Sequence, residues 1–167
     1  MLNKTRKTFI SSPFSPNQFT FVEMAQETKY PMTFCPDLTH KLMEIAQKFK
    51  NLDNETENLT IKLGKTLSTN DFYLGQGRLD GAFTNSTKID QTLFFEKLQQ
   101  EHDIINFEME GHCFSAFCNR AKIRAAMVCV ALVNRLKGDQ INCSKSDVEK
   151  WILNGKMVLV EYFKSRL

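Results

Sequence analysis

The feature that most constrains the fold is an apolar run near residue 130. From Ala125 to Val133 the chain is almost wholly apolar and partly β-branched, with no alternation of polar side chains. Such a run indicates a strand buried on both faces, as in a parallel sheet. Helical patterns precede and follow it, and strands that alternate with helices predict an α/β architecture.

Periodicity divides the rest of the chain into further strands and helices. Strands are expected at Phe19–Met24, Leu59–Leu63 and Ile104–Phe107. Helices are expected from the N-cap Asp37 to Phe49, at Ile89–Gln100, at Met109–Arg120, and from a capping box of Ser146 and Glu149 to about Lys164. Three glycines make the stretch before the second helix rich in turns: Gly75, Gly77 and Gly81.

Composition limits the class of protein. The 167 residues are 42% hydrophobic and 25% charged, which predicts one globular domain. No stretch approaches ~20 apolar residues, so neither a membrane span nor a membrane partner is expected. The net charge of +3 is spread along the chain. The only argument for a nucleic-acid partner is that charge together with Lys4, Arg6 and Lys7, and because no motif or basic stripe supports it, no nucleic-acid partner is expected. The five cysteines lack zinc spacing, which predicts reduced thiols, no metal site and a cytoplasmic location.

The segment Asp71–Gly81 concentrates unusual chemistry. Gln76 and Arg78 lie two residues apart, and in an extended chain such residues point the same way. A carboxamide and a guanidinium on one side can bind the edge of a planar amide-like group, and Phe72 can stack on a flat ring. The glycines lack the Lys-Ser/Thr of a phosphate loop. The alternative interpretation is a solvated turn with a surface arginine.

An acidic corner follows the strand that ends near Phe107. Glu108 and Glu110 bracket Met109 where a helix is expected to begin. In one interpretation a carboxylate here accepts backbone N–H groups of the helix start. In the other, a carboxylate accepts hydrogen bonds from two vicinal sugar hydroxyls.

A third candidate site is the carboxyl end of the apolar strand, where ligands gather in open α/β sheets. Asn134 and Arg135 stand there, either as a ligand site or as part of an exposed loop. Three histidines on predicted helices are expected to be exposed or capping rather than catalytic: His40, His102 and His112.

The segments at 71–82, 105–111 and 126–141, taken in this order, resemble the nucleoside phosphorylase family, and in particular its uridine-cleaving members. The resemblance continues more loosely from about Pro16 to the C-terminus. It implies a three-layer fold with a mixed central sheet flanked by helices. Residues 16–167 would be the C-terminal portion of that domain, and residues 1–15 an unmatched, disordered leader.

The resemblance also implies roles for individual residues. Gln76 and Arg78 would bind the pyrimidine edge and act in catalysis, Phe72 would stack on the uracil face, and Arg135 would contact the base region. The apolar wall would include Leu132 and Val133. The ribose would be held by Met109 and Glu110, with Glu108 in support. Purine-specific relatives carry Ser-Asp where this chain has Asn134-Arg135, which favours a pyrimidine substrate.

The implied reaction is reversible phosphorolysis of uridine to uracil and ribose 1-phosphate, in pyrimidine catabolism and salvage. It needs no cofactor, since phosphate is a co-substrate, and the family assembles as homo-oligomers, either dimers or hexamers. Family members are longer, and their N-terminal portion supplies the phosphate-binding residues. None is recognisable in Met1–Phe14, so no phosphate-binding residue is expected in this chain. An inactive truncated isoform that binds uracil, or associates with full-length subunits, is the alternative.

Overall fold

The computed structural model describes residues 6–13, 18–52 and 59–167. Strands and helices alternate along these residues, so the predicted α/β class is confirmed. Their order is β1 (Arg6–Pro13), β2 (Gln18–Glu23), β3 (Gln26–Pro31), α1 (Pro36–Leu52), β4 (Leu59–Ser68), a 3₁₀ turn (Leu74–Gln76), α2 (Lys88–His102), β5 (Ile104–Glu108), α3 (Gly111–Arg120), β6 (Met127–Ala131) and α4 (Lys145–Lys164). They form two compact units, the first comprising Met1–Ser11, Cys35–Leu63 and Ala126–Leu167, and the second Ser12–Phe34 and Gly64–Ala125.

The first unit has an apolar core between two helices and a strand. Leu42 and Ala46 of α1, Ile61 of β4 and Val158 of α4 are buried together in it. The α4 helix also packs on β6, and a Cβ at Gly155 would lie 2.6 Å from Cγ2 of Val130. Gly155 is therefore the residue that lets α4 approach the strand.

Two expectations for the first unit are wrong. The apolar run forms β6, but its residues are half-buried, and it pairs antiparallel with β1 rather than lying buried in a parallel sheet. The pairing, with Phe9 opposite Cys129, also makes a strand of Arg6–Pro13, inside the expected disordered leader. Pairing with β6 makes residues 6–13 a strand, and the strand propensity of these residues alone does not predict such pairing. The remainder of that leader lies outside the described residues.

The two predicted N-caps are wrong. The α1 helix begins at Pro36, which suits the first helical position, and Asp37 lies within the first turn instead of capping it. The α4 helix is capped by Ser144, whose side chain accepts from the N–H of Asp147. The predicted box of Ser146 and Glu149 has the same spacing two residues later, but the observed capping box is formed by Ser144 and Asp147.

The second unit places two parallel strand ends side by side. The latter half of β4 pairs with β5, with Ser68 opposite Glu108, and α2 connects the two strands. The mixed sheet expected for the family is thus present in these pairings. Thr87 caps α2 in a capping box, and its backbone N–H and hydroxyl lower the pKa of Asp90.

A β-hairpin, β2–β3, also belongs to the second unit and packs on α3. Asn119 of α3 ties down the chain after the hairpin, because its Nδ2 donates to the carbonyl oxygens of Pro31 (3.1 Å) and Thr33 (2.8 Å). Across the described ranges, no helix combines the length and the apolar character that a bilayer crossing requires.

Candidate active site

The loop between β4 and α2 is folded as a tight turn rather than an extended chain. Residues Leu74–Gln76 form a 3₁₀ turn, and Gly77 follows with φ 64°. A Cβ at Gly77 would lie 2.7 Å from Cδ1 of Phe94, so both the backbone conformation and the space require glycine. Gln91 of α2 donates from Nε2 to the carbonyl oxygen of Gly77 at 2.6 Å. The expectation of extended geometry here is therefore wrong, and α2 anchors the turn.

Arg78 is a buried cation in this loop, not a surface arginine. Its side chain is 8% exposed and makes a two-pronged ion pair with Asp80, from Nε to Oδ1 (2.8 Å) and from Nη2 to Oδ2 (2.5 Å). The guanidinium carbon lies 4.6 Å from the ring centre of Phe72 and 5.5 Å from that of Tyr73. The alternative of a solvated turn does not describe this side chain.

Gln76 reaches the acidic corner through one intermediate residue, Thr69. The side chain of Gln76 is buried, and its Nε2 donates to Oγ1 of Thr69 at 3.3 Å. The backbone N–H of Thr69 donates to the carbonyl oxygen of Glu108 at 3.0 Å. The predicted base-binding amide and the predicted sugar-binding corner therefore meet at the carboxyl end of β4.

Glu108 and Glu110 differ in what their carboxylates contact, and the difference matches the two interpretations of the sequence: one carboxylate accepts backbone N–H groups, and the other is open to hydroxyl groups. Oε2 of Glu108 accepts from the backbone N–H groups of Glu110 (2.7 Å) and Gly111 (2.5 Å), so Glu108 secures the start of α3. Glu110 is exposed and holds the N-cap position, but its side chain makes no capping hydrogen bond; its Oε2 accepts at 3.4 Å from the backbone N–H of Met109. Its neighbour Met109 is half-buried. Glu110 is thus the carboxylate available to hydroxyl groups.

The second carboxylate oxygen of Glu108, Oε1, is buried in the acidic corner. This oxygen has no hydrogen-bond partner among the residues that the structure describes. A buried carboxylate oxygen without a donor is costly, so a ligand hydroxyl would be favoured at this position. This is the feature of Glu108 that fits a supporting role toward a sugar.

A serine and a histidine also meet at this end of the sheet. Ser68, the last residue of β4, lies with Oγ 2.5 Å from Nδ1 of His112, and it accepts from the backbone N–H of His112 at 3.1 Å. Phe19 of the hairpin packs on the imidazole, with ring centres 5.3 Å apart. The contact joins β4, α3 and β2, and sequence spacing gave no signal of it because 44 residues separate the two partners.

Arg135 belongs to the first unit, as do the predicted wall residues Leu132 and Val133, which are half-buried. Its side chain is 12% exposed, and Nη1 lies 3.1 Å from Oδ1 of Asp139. Arg135 is therefore not an exposed loop arginine, whereas its neighbour Asn134 is exposed.

A cavity of about 280 Å³ borders Arg78 on the side of α2. Its lining includes Leu74, Gly77, Asp90 and Phe94, but neither Gln76 nor the acidic corner. This cavity is therefore not a space in which the predicted base-binding and sugar-binding side chains meet. Within the described ranges, no group of three or more His, Cys, Asp or Glu side chains is placed to hold a metal ion.

Sequence reasoning placed Phe72, Gln76, Arg78 and the acidic corner in one region, and the second unit contains all of them. It missed Thr69 and Asp80, which hold Gln76 and Arg78 in place. Asp80 carried a usable signal, because an acid two residues after an arginine is a candidate partner. Thr69 carried none, since its role depends on the pairing of β4 with β5.

The chain is similar to known proteins over most of its length. The sequence model of the phosphorylase superfamily matches residues 5–162. Uridine phosphorylase 2 of Mus musculus is 36% identical over 124 residues, which are 74% of this chain and 38% of the mouse protein. Inactive uridine phosphorylase B of Schistosoma mansoni is 34% identical over 113 residues, 65% of this chain and 38% of that protein.

Solved structures give the same family. Uridine phosphorylase from Schistosoma mansoni in complex with 5-fluorouracil superposes with a TM-score of 0.81 at 27% identity, covering 96% of this chain and 55% of that one. This chain thus spans little more than half of the solved structure that it resembles, and the match to the family model extends over nearly all of its own length. The chain belongs to the phosphorylase superfamily.

Proposed function

We propose that this chain provides the base-binding and ribose-binding part of a uridine phosphorylase, which converts uridine and phosphate into uracil and ribose 1-phosphate. The observation that carries the proposal is the chain of contacts from buried Gln76 through Thr69 to Glu108. It connects a side chain suited to a pyrimidine edge with acids suited to sugar hydroxyls. Membership of the phosphorylase superfamily and the resemblance to uridine phosphorylases support it independently.

In this reaction the bond between C1′ of the ribose and N1 of the base breaks as phosphate attacks C1′. The electron pair stays on the base, which develops negative charge on its ring, while positive charge develops on the sugar. Arg78 and Gln76 donate hydrogen bonds to the base where this charge appears, so they stabilise the transition state more than the ground state. The low exposure of Arg78 strengthens that interaction, because little water screens it.

The remaining residues hold the substrate. Phe72 is 45% exposed, so its ring can stack on the base beside the guanidinium of Arg78, whose carbon lies 4.6 Å from the ring centre. Glu110 accepts hydrogen bonds from the ribose hydroxyls, with Met109 beside it and Oε1 of Glu108 in support. From the family resemblance alone, Arg135 is assigned to the base region, and Leu132 and Val133 are assigned to its apolar wall.

Other parts of the proposal follow from the family alone. Phosphate is a co-substrate and no cofactor is involved, and we propose a homo-oligomer, dimeric or hexameric, in the cytoplasm, active in pyrimidine salvage. No residue of this chain is assigned to phosphate. The second candidate is a catalytically inactive protein that binds uracil or associates with longer subunits. This second candidate is supported by the similarity of the chain to a protein that is named as inactive, uridine phosphorylase B of Schistosoma mansoni.

Two measurements test the proposal. Uracil binding is followed by titration calorimetry for the unmodified chain, for Arg78→Gln, and for Arg124→Gln, which removes the same charge from an exposed position of the same unit. We expect Arg78→Gln to weaken binding at least about tenfold, since hydrogen bonds from a charged donor contribute about 1.5–3 kcal/mol. The control is expected to bind as the unmodified chain does.

The second measurement is uridine cleavage in the presence of phosphate, followed by the loss of ultraviolet absorbance. Turnover, or uracil binding that tightens when phosphate is added, supports the enzyme and contradicts the inactive alternative. Uracil binding that is indifferent to phosphate, without turnover, supports the inactive alternative. No binding of uracil or uridine by the unmodified chain would overturn the enzyme and the uracil-binding form of the alternative, and would leave only association with longer subunits.

A further inference from the structure

We propose that Asp80 is a positioning residue that fixes which edge of the Arg78 guanidinium is presented to the base. The inference rests on the proposed function, because it assigns a partner to an arginine already placed in the base site. Two parallel contacts, from Nε at 2.8 Å and from Nη2 at 2.5 Å, join the guanidinium to the carboxylate of Asp80. A planar guanidinium held by two bonds along one edge cannot rotate about its long axis.

The geometry determines the direction of the remaining donors. Asp80 occupies the edge formed by Nε and one N–H of Nη2, so the N–H groups of Nη1 and the second N–H of Nη2 point away from it. The rings of Phe72 and Tyr73 lie 4.6 and 5.5 Å from the guanidinium carbon and restrict its tilt. A carboxylate on one edge and two aromatic rings near its carbon thus hold the plane of the group that the base would meet.

The side chains of Arg78 and Asp80 differ in their exposure to solvent, and this difference distinguishes the pair from an ion pair between two exposed side chains. The Arg78 side chain is 8% exposed and that of Asp80 is 50% exposed. Asp80 therefore keeps contact with solvent while it neutralises and orients a cation that is mostly out of solvent. An exposed ion pair would contribute little, but a two-pronged pair to a buried arginine defines a geometry.

The experiment compares three substitutions in the full chain. Asp80→Asn removes the charge and one of the two oxygen acceptors, and Asp80→Glu keeps both on a longer arm. Asp103→Asn is the matched control, because Asp103 is exposed in the same unit, at a position with φ 57° that asparagine also adopts. Each variant is titrated separately with uracil and with ribose 1-phosphate.

We expect Asp80→Asn to weaken uracil affinity about tenfold and to leave ribose 1-phosphate affinity unchanged, with partial recovery in Asp80→Glu. A merely structural role would lower both affinities together, and that result would overturn the inference. Uracil affinity in Asp80→Asn equal to that of Asp103→Asn would overturn it as well.

A spectroscopic measurement keeps this inference distinguishable from the proposed function. In ¹⁵N-labelled protein, the Nε–H resonance of Arg78, assigned by its loss in Arg78→Lys, is expected to exchange slowly with solvent and to exchange faster in Asp80→Asn. Slow exchange in a chain that binds no uracil would overturn the proposed function and the link to the base, while retaining Asp80 as the anchor of Arg78. Equal exchange in both proteins would overturn the anchoring even if uracil binds.

Discussion

Replacing each acid of the corner by its amide separates the structural carboxylate from the one proposed to bind sugar. Glu108→Gln keeps an acceptor oxygen for the two backbone N–H groups, which lie 2.7 and 2.5 Å from Oε2, but removes the charge. Hydrogen bonds to charged groups exceed neutral ones by about 1 kcal/mol each, and a charge at a helix N-terminus adds about 0.3–1 kcal/mol. Because the corner is only half-buried, we expect Glu108→Gln to lower the free energy of unfolding by about 1–2 kcal/mol.

Glu110→Gln is the matched variant, two residues away with the same chemical change. The Glu110 side chain is exposed and makes no capping hydrogen bond, so we expect its free energy of unfolding to stay within about 0.5 kcal/mol of the unmodified chain. For ligand binding we expect the reverse: the variant with unchanged stability, Glu110→Gln, is the one that binds the sugar more weakly. Glu110→Gln would weaken ribose 1-phosphate at least about fivefold and leave uracil affinity unchanged, because only the sugar offers hydroxyl donors to the carboxylate.

Urea unfolding followed by circular dichroism gives the stabilities, and titration calorimetry gives the affinities. A loss of stability in Glu110→Gln as large as that in Glu108→Gln would refute the division of roles. Weakened binding of uracil and sugar alike in Glu110→Gln would refute the assignment of this acid to the ribose.

Three further substitutions test how the site and its supports are held. Gln91→Glu replaces the Nε2 donor to the half-buried Gly77 carbonyl with an oxygen, and we expect urea unfolding to show a loss of about 1–3 kcal/mol. Gly155→Ala would gain about 1 kcal/mol from helix propensity, but its Cβ would lie 2.6 Å from Val130, so a net loss is expected that becomes a gain in the Val130→Ala background. A gain without that second change would contradict the packing. Ser144→Ala removes the cap of α4 and is expected to cost about 1 kcal/mol in the same assay, whereas no loss would contradict the observed cap.

The sequence indicates which side chains could bind a base, but the geometry that it predicts for them is wrong. Gln76 and Arg78 were paired because residues two apart share a face of an extended chain, yet the backbone there is a 3₁₀ turn followed by Gly77 at φ 64°. The glycine changes the direction of the chain, and α2 then anchors it through Gln91. The hydrogen-bonding chemistry of the residue types could be recognised from the sequence, whereas the turn depends on Gln91 of α2, fourteen residues after Gly77.

The β2–β3 hairpin shows a different limit. Only its first strand was expected, because the two turn residues are Met24 and Ala25, with φ 49° and 64°. Hairpin turns of this kind normally use glycine or asparagine, which adopt positive φ at little cost. The packing of the hairpin on α3, where Arg120 lies 5.3 Å from the ring centre of Phe21, helps to compensate for an unfavourable turn. The sequence of the hairpin alone does not predict this packing on α3.

The two arginines proposed to contact the base share an arrangement that explains why their burial was hard to anticipate. Arg78 pairs with Asp80 and Arg135 pairs with Asp139, and both arginine side chains are largely buried. An arginine weighed alone is expected at the surface, since burying an isolated charge is costly. With an aspartate two or four residues later, the neutralising partner is local, so burial requires no distant acid. An arginine followed closely by an aspartate after a strand is therefore a better candidate for a binding site than its own charge indicates.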